Sequence, residues 1–306
     1  MDLKQENKVD ENIRKDDEKE QAARPLFVGA KWYDALVIAV LAILSQGIGG
    51  VLVAMVGERF GLEQVSEVMR ESVDEEVVEY VEFLQSRYVA ITLLVATIIC
   101  FFVVVLYARS KRWRNTLSFR MLGWASPLRL LCGYVLMLCV SVVIEPISDM
   151  LPGDQSVLGG GGWLLFSAAV VAPIFEEVIF RGYIAGLLRA AYGGVVAWFF
   201  SSLIFGLMHI QPSVIVSASA CGLVLGYYYL RHRSLIMVML LHSMYNTTAC
   251  FLKTIGLGDS SIREALGGGT LYFAVLGASL FIVVVALWRM VVGMQRLKSD
   301  NYQPKK

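Results

Sequence analysis

The chain has 306 residues, 57% of them hydrophobic and 17% charged, with a mean hydropathy of +0.61. Soluble globular domains carry about 25% charged residues and do not collect apolar residues into runs this long. A soluble enzyme, a disordered chain and a disulfide scaffold are therefore excluded. With a net charge of +1 there is also no global field to attract nucleic acid. The composition predicts an all-α polytopic bundle of transmembrane helices.

Residues 1–30 hold eight acids and six bases with almost no apolar periodicity. Such a composition buries too little surface to offset its ordering entropy, so a disordered polar tail is expected. A helix needs about 20 apolar residues to cross the hydrocarbon core. Runs that approach this length predict about eight spans, at 33–56, 88–108, 128–150, 163–191, 195–210, 213–230, 234–252 and 271–293. The joints coincide with helix breakers at Gly159–Gly162, Gly193-Gly194, Gln211-Pro212, Arg231–Ser234 and Gly267–Gly269. The first run lies behind a long polar stretch and is too long for a signal-peptide core, so it is kept as a span.

Between the first two spans, loop 57–87 carries nine acids against three bases. Its apolar positions Leu62, Val65, Met69, Val73, Val77, Val81 and Leu84 recur every three or four residues, which predicts an amphipathic helix against the outer surface. Loop 109–127 is its opposite, with Arg109, Lys111, Arg112, Arg114 and Arg120 and no acid. Arg231 and Arg233 fill another short joint, and the tail from Arg289 onward is basic. Lys and Arg mark cytoplasmic loops, so an even number of spans places both termini in the cytoplasm. Domain organisation follows as a 1–30 cytoplasmic tail, three spans and an acidic outer loop over 31–150, a core over 163–252, and a last span with a basic tail over 271–306. The five cysteines all lie in apolar runs without CxxC spacing and read as small packing residues.

Ionisable residues inside a span are costly and point to function. Here they cluster. The fourth span contains Glu176, Glu177 and Arg181, the fifth ends at His209, and the seventh carries His242. Glu177 and Arg181 are four apart, share a helix face and can neutralise each other. Glu176 is turned away by about 100° and has no partner on its own helix, leaving it free for general-base work. Phe205 with His209, and His242 with Asn246, are also spaced by four; an imidazole and a carboxamide facing a bundle interior can hold water or donate to an oxyanion. Glu176 and His209 lie at similar depths, about 22–26 Å on either side of the Gly193-Gly194 turn, so they can face each other. Small residues at Gly182 and Gly186, and at Ala218, Gly222 and Gly226, have the spacing that lets helices pack closely.

Glu176-Glu177-x-x-x-Arg181, Phe205-x-x-x-His209 and His242-x-x-x-Asn246, in that order on successive spans, resemble the three motifs of the CAAX-protease and bacteriocin-processing family, the type II CAAX prenyl endopeptidases. The motif-bearing region covers about 163–252. The resemblance implies an intramembrane endopeptidase of a bacterial plasma membrane. Glu176, assisted by His209, would activate a water for attack on a peptide carbonyl. His242 and Asn246 would hold that water or stabilise the oxyanion, with Glu177, Arg181 and Phe205 in support. The implied partners are membrane lipid and a peptide or protein substrate, prenylated in eukaryotic relatives and linked to bacteriocin maturation in some bacterial ones. No cofactor is favoured, and there is no HExxH; a zinc alternative would draw on Glu176, His209 and His242. Two other functions compete: a non-catalytic immunity or scaffold protein of the same fold, and a proton-coupled transporter. The latter is disfavoured because the first three spans show no counterpart of the Glu or His motifs.

Overall fold

The computed structural model describes residues 27, 30–31, 33–59, 75–111, 113, 117, 119, 126–152, 165–209, 211–255 and 261–301. Most of the tail expected over 1–30, the first part of the acidic loop with Leu62, Val65, Met69 and Val73, and the Gly159–Gly162 joint lie outside the described residues. In chain order the helices are α1 (Asp34–Arg59), α2 (Glu75–Ser110), α3 (Ser126–Ser148), a composite α4 over 165–192, α5 (Gly194–Leu207), α6 (Pro212–His232), α7 (Leu235–Thr254), a short α8 (Ile262–Ala265) and α9 (Thr270–Asn301). Among the described residues the only β pairing is a single antiparallel bridge between Phe119 and Ser234.

The all-α membrane bundle expected from composition is present, and the eight expected spans map in order onto eight long rods. Five contain segments long and apolar enough to cross a membrane unaided: Asp34–Leu52, Pro127–Ser148, Pro212–His232, Leu235–Leu252 and Thr270–Gln295. Leu94–Ser110 and Gly194–Leu207 are shorter apolar stretches. The rod at 165–192 is divided into π and α segments, so a count of eight equivalent spans is too simple. The backbone of 75–87, expected in a separate surface helix, instead begins α2.

Helix ends follow local chemistry. Gly193 separates α4 from α5 at φ 87°, a left-handed value that a side chain would strain. Extended Gln211 precedes Pro212 in the first turn of α6, where proline's missing N–H costs nothing. Arg233 closes α6 in the left-handed region at φ 53°. On α8, Ser261 and Glu264 form a reciprocal capping box, and the buried Glu145 of α3 accepts from the Ile262 N–H.

Helix α1 packs on α2, α6 lies between α5 and α3, α7 lies against α3 and α4, and α9 covers α3 and α5. The shared core includes Met137, Ile184, Leu225, Leu230, Leu235, Leu241 and Met294. Large apolar side chains also point outward, among them Phe102, Leu128, Phe199, Phe281 and Trp288, while Glu177 and Arg181 are wholly enclosed. That inside-out distribution suits a hydrocarbon surrounding, and the protein is an integral membrane protein.

Hydroxyl, indole and carboxylate contacts lock the rods. Tyr134 Oη lies 2.6 Å from Thr248 Oγ1 and Ser141 Oγ 2.7 Å from Tyr245 Oη, both between α3 and α7. Trp198 Nε1 donates to the Leu223 carbonyl across α5 and α6 at 2.7 Å. Interhelical hydrogen bonds in membranes average about 0.6 kcal/mol each, so they set register more than stability. At the other end of α1, Asp34 is held by Tyr107 at 2.5 Å and by Lys111 at 3.0 Å. The hydrogen bonds to Asp34 and Tyr107 hold the Lys111 ammonium above its ordinary pKa.

The small-residue motifs divide in an unexpected way. A Cβ on Gly222 would lie 3.2 Å from Phe205 and 3.3 Å from Ser202, and one on Gly226 3.1 Å from Ser202 Oγ, so α6 does close on α5 there. Gly182 and Gly186 instead make room for loop side chains, Leu117 at 2.5 Å and Phe27 at 2.6 Å from an added Cβ. Phe27 also stacks edge-on with Trp113 at 5.5 Å, so the stretch read as a disordered tail has an anchored aromatic near its end. The tightest approach involves Gly206, where a Cβ would fall 1.9 Å from Ser219 Oγ and 2.6 Å from the Ile215 carbonyl oxygen. Overpacking of this kind costs about 1–3 kcal/mol. Gly206→Ala is expected to lower the thermal midpoint in detergent, whereas Gly277→Ala, with nothing within 4 Å of the added carbon, should leave it unchanged.

Candidate active site

Helix α4 bears the acidic residues and is irregular where it bears them. A π-helical turn, Leu165–Val171, leads into the α-helical Ala172–Glu177; a second π turn, Val178–Ile184, leads into the α-helical Ala185–Tyr192. π turns inside α-helices are frequent at functional sites, where the wider turn re-aims the side chains on either side.

Glu177 ends the first α segment and is fully buried together with Arg181. Arg181 Nη1 donates to Glu177 Oε1 at 3.1 Å, and its Nη2 donates to the Gly222 carbonyl of α6 at 3.1 Å. The guanidinium stacks 4.4 Å above the Phe205 ring of α5. Burying one such charge alone costs several kcal/mol, so each needs the other. Glu177 Oε2 and Arg181 Nε have no hydrogen-bond partner.

The pairing expected between Glu177 and Arg181 is thus present, and a third member joins it. His242 Nδ1 on α7 lies 3.0 Å from Glu177 Oε1. A carboxylate that already accepts from Arg181 can only accept again, so Nδ1 carries the proton and Nε2 is directed elsewhere. Nε2 faces Glu176 Oε2 at 3.9 Å. Glu176 is part exposed, with 23% of its side chain accessible. His242 therefore stands between a buried, arginine-neutralised carboxylate and a more accessible one.

His209 and Asn246 are turned to other partners than Glu176. His209 Nδ1 meets the Phe205 carbonyl one turn back at 3.1 Å, and its ring packs edge-on against Phe205 at 5.1 Å. It forms no ion pair with Glu176; equal depth along two rods fixes neither azimuth nor rotamer. Phe205 contacts both imidazoles, His242 at 5.6 Å and His209 at 5.1 Å, and also Phe180 at 5.2 Å. Asn246 Nδ2 donates to the Ala168 carbonyl of the first π turn at 2.7 Å. Ser243, a residue that the motif spacing did not single out, donates to the next carbonyl, that of Ala169.

Among the described residues no three His, Cys, Asp or Glu side chains come together closely enough to hold a metal ion. His209 Nδ1 faces its own helix and the three side chains are not gathered around one point, so Glu176, His209 and His242 do not form a zinc triad in this arrangement.

Fold and site together define a helical membrane protein in which a buried carboxylate and imidazole meet a more accessible carboxylate. Residues 159–248 match the family described as "Type II CAAX prenyl endopeptidase Rce1-like". That segment contains all seven motif residues from Glu176 to Asn246, and the match agrees with the resemblance drawn from the three motifs. A 90-residue stretch is 31% identical to the Bacillus subtilis protein named "Putative membrane peptidase YdiL"; it covers 29% of this chain and 37% of that relative's length. No solved structure matches the chain.

Proposed function

We propose that the protein is an intramembrane endopeptidase in which Glu176 is the general base that activates the attacking water. The observation that carries this reading is His242, whose Nδ1 is 3.0 Å from Glu177 Oε1 and whose Nε2 faces Glu176 Oε2 at 3.9 Å. Behind the imidazole, Glu177 and Arg181 fix its tautomer and orientation. In front, Nε2 and the Glu176 carboxylate bracket a position from which a proton can pass from water to the base. His242 Nε2 would accept a hydrogen bond from that water and hold it, and the second N–H of Asn246 would then stabilise the oxyanion that develops on the substrate carbonyl. His209 shapes the site through Phe205 and is available to assist Glu176 once substrate rearranges the contacts. The supporting comparison is the Rce1-like match over the same residues.

Within this reading the region 163–252 is the catalytic core, and the substrate is a peptide or protein presented from the membrane, of CaaX type or a peptide undergoing maturation. The test is digestion of a peptide library, with prenylated and unprenylated members, by the purified protein in detergent. New peptide termini are expected, and the yield should survive exhaustive chelation. No cleavage of any member, or cleavage abolished by chelation and restored by zinc, would overturn the mechanism.

The described basic residues Lys31, Arg109, Lys111, Arg129, Arg189, Arg231 and Arg233 gather at one end of the bundle, where Asp34 pairs with Lys111. The Phe119–Ser234 bridge and the packing of Phe27 near Gly186 join the loops of that end. We take it as the cytoplasmic end. A cysteine at the exposed position of Arg231, in a background without native cysteines, should react with an impermeant thiol reagent in inside-out vesicles. Reaction only in right-side-out vesicles would reverse the orientation.

A further inference from the structure

The contacts that Ser243 and Asn246 make on α4 have a cause in the sequence of α4 itself. Pro173 lies in the first turn of the segment Ala172–Glu177. Proline has no N–H. It can donate neither to the carbonyl five residues back, Ala168, which the preceding π spacing would require, nor to the carbonyl four back, Ala169, which α spacing would require. A carbonyl freed inside hydrocarbon must find another donor. Asn246 Nδ2 supplies one to Ala168 at 2.7 Å, and Ser243 Oγ supplies one to Ala169. The missing N–H frees one of these carbonyls, and the step from π to α spacing, which passes over one acceptor, frees the other; two side chains, three residues apart on one face of α7, cover both.

This clasp lies between the two halves of the site. Pro173 is three residues before Glu176, and Ser243 directly follows His242. Ala169 is fully buried and Ser243 is part buried, so the join is shielded from solvent competition. The geometry points to Ser243 as a positioning residue. By closing on the Ala169 carbonyl next to Asn246, it fixes the distance between His242 on α7 and Glu176 on α4. The catalytic consequence rests on the function proposed above; the clasp itself does not.

The test uses the full-length protein in detergent and reads the clasp without substrate. In Ser243→Ala, amides of the turn around 168–176 should exchange with deuterium about fivefold faster, the equivalent of one ordinary hydrogen bond. The ring resonance of His242, in protein labelled with carbon-13 at histidine and assigned with a His242→Gln control, should move while that of His232 stays. Ser243→Thr keeps the hydroxyl and should restore both signals. Pro173→Ala returns an N–H to the α4 ladder, so adding Ser243→Ala to it should accelerate exchange far less than in the wild-type background. Unchanged exchange in Ser243→Ala, or equal effects with and without Pro173, would overturn the clasp. A lower thermal midpoint with the His242 resonance unmoved would reduce Ser243 to a packing residue. Failure of the library digestion would sink the peptidase reading and leave these two signals to decide the clasp on their own.

Discussion

Glu176→Gln is expected to abolish measurable peptide hydrolysis while leaving the thermal midpoint in detergent at the wild-type value. The side chain keeps 23% of its surface accessible, and its 3.9 Å approach to His242 Nε2 is too long for a hydrogen bond. Replacing a carboxylate by its neutral isostere there empties no volume and strands no charge. Under the proposed mechanism it removes the acceptor for the water's proton, and a positioned general base is worth about 10²–10⁴ in rate. Turnover measured beside the melting curve separates the two effects. Retained turnover would take the base role away from Glu176.

Arg181→Ala should do the reverse and damage stability first. The substitution removes the donor to Glu177, the donor to the Gly222 carbonyl and the cation over Phe205. It leaves the Glu177 carboxylate fully enclosed and held by His242 alone. Breaking a buried pair by deleting one partner costs about 3–5 kcal/mol, far more than a surface pair. Adding Glu177→Gln should return part of that loss, because no charge is then stranded. The double variant should still be slow, since a neutral amide holds the His242 imidazole less firmly than a carboxylate does. A double variant no more stable than Arg181→Ala would mean that charge burial is not what the arginine relieves.

Much of this arrangement was legible in the sequence wherever helix periodicity governs. The Glu177–Arg181 pair follows from a spacing of four, and the breaks at Gly193, Gln211-Pro212 and Arg233 follow from residue chemistry. What joins residues far apart in sequence did not follow. His242 reaches Glu177 across 65 positions, and depth estimates along two rods cannot say which way either side chain turns. The same limit explains His209, whose ring is directed at Phe205 and not at Glu176. Gly182 and Gly186 have the spacing of a helix-packing motif, yet the bodies that fill their notches are Leu117 and Phe27 from loops with little pattern. One further signal was available. A proline inside an apolar helix frees carbonyls, and a serine and an asparagine three apart on another span are the donors such carbonyls need. That inference takes the two spans together, whereas periodicity takes them one at a time.

The π turn at Val178–Ile184 bears on how this chain tolerates change in length. A π turn holds roughly one residue more than the α turn it replaces, much as if a single codon had been inserted. Deleting one residue there would give a more regular, locally better-bonded helix. It would also rotate everything before the deletion by about 100° relative to everything after it. Glu176, Glu177 and the Pro173 turn would swing away from the face that Arg181 shares with Gly222 and Phe205. Straightening this helix therefore improves the rod and dismantles the array, so the irregular length of α4 is a property that selection on function, and not on stability, has reason to keep.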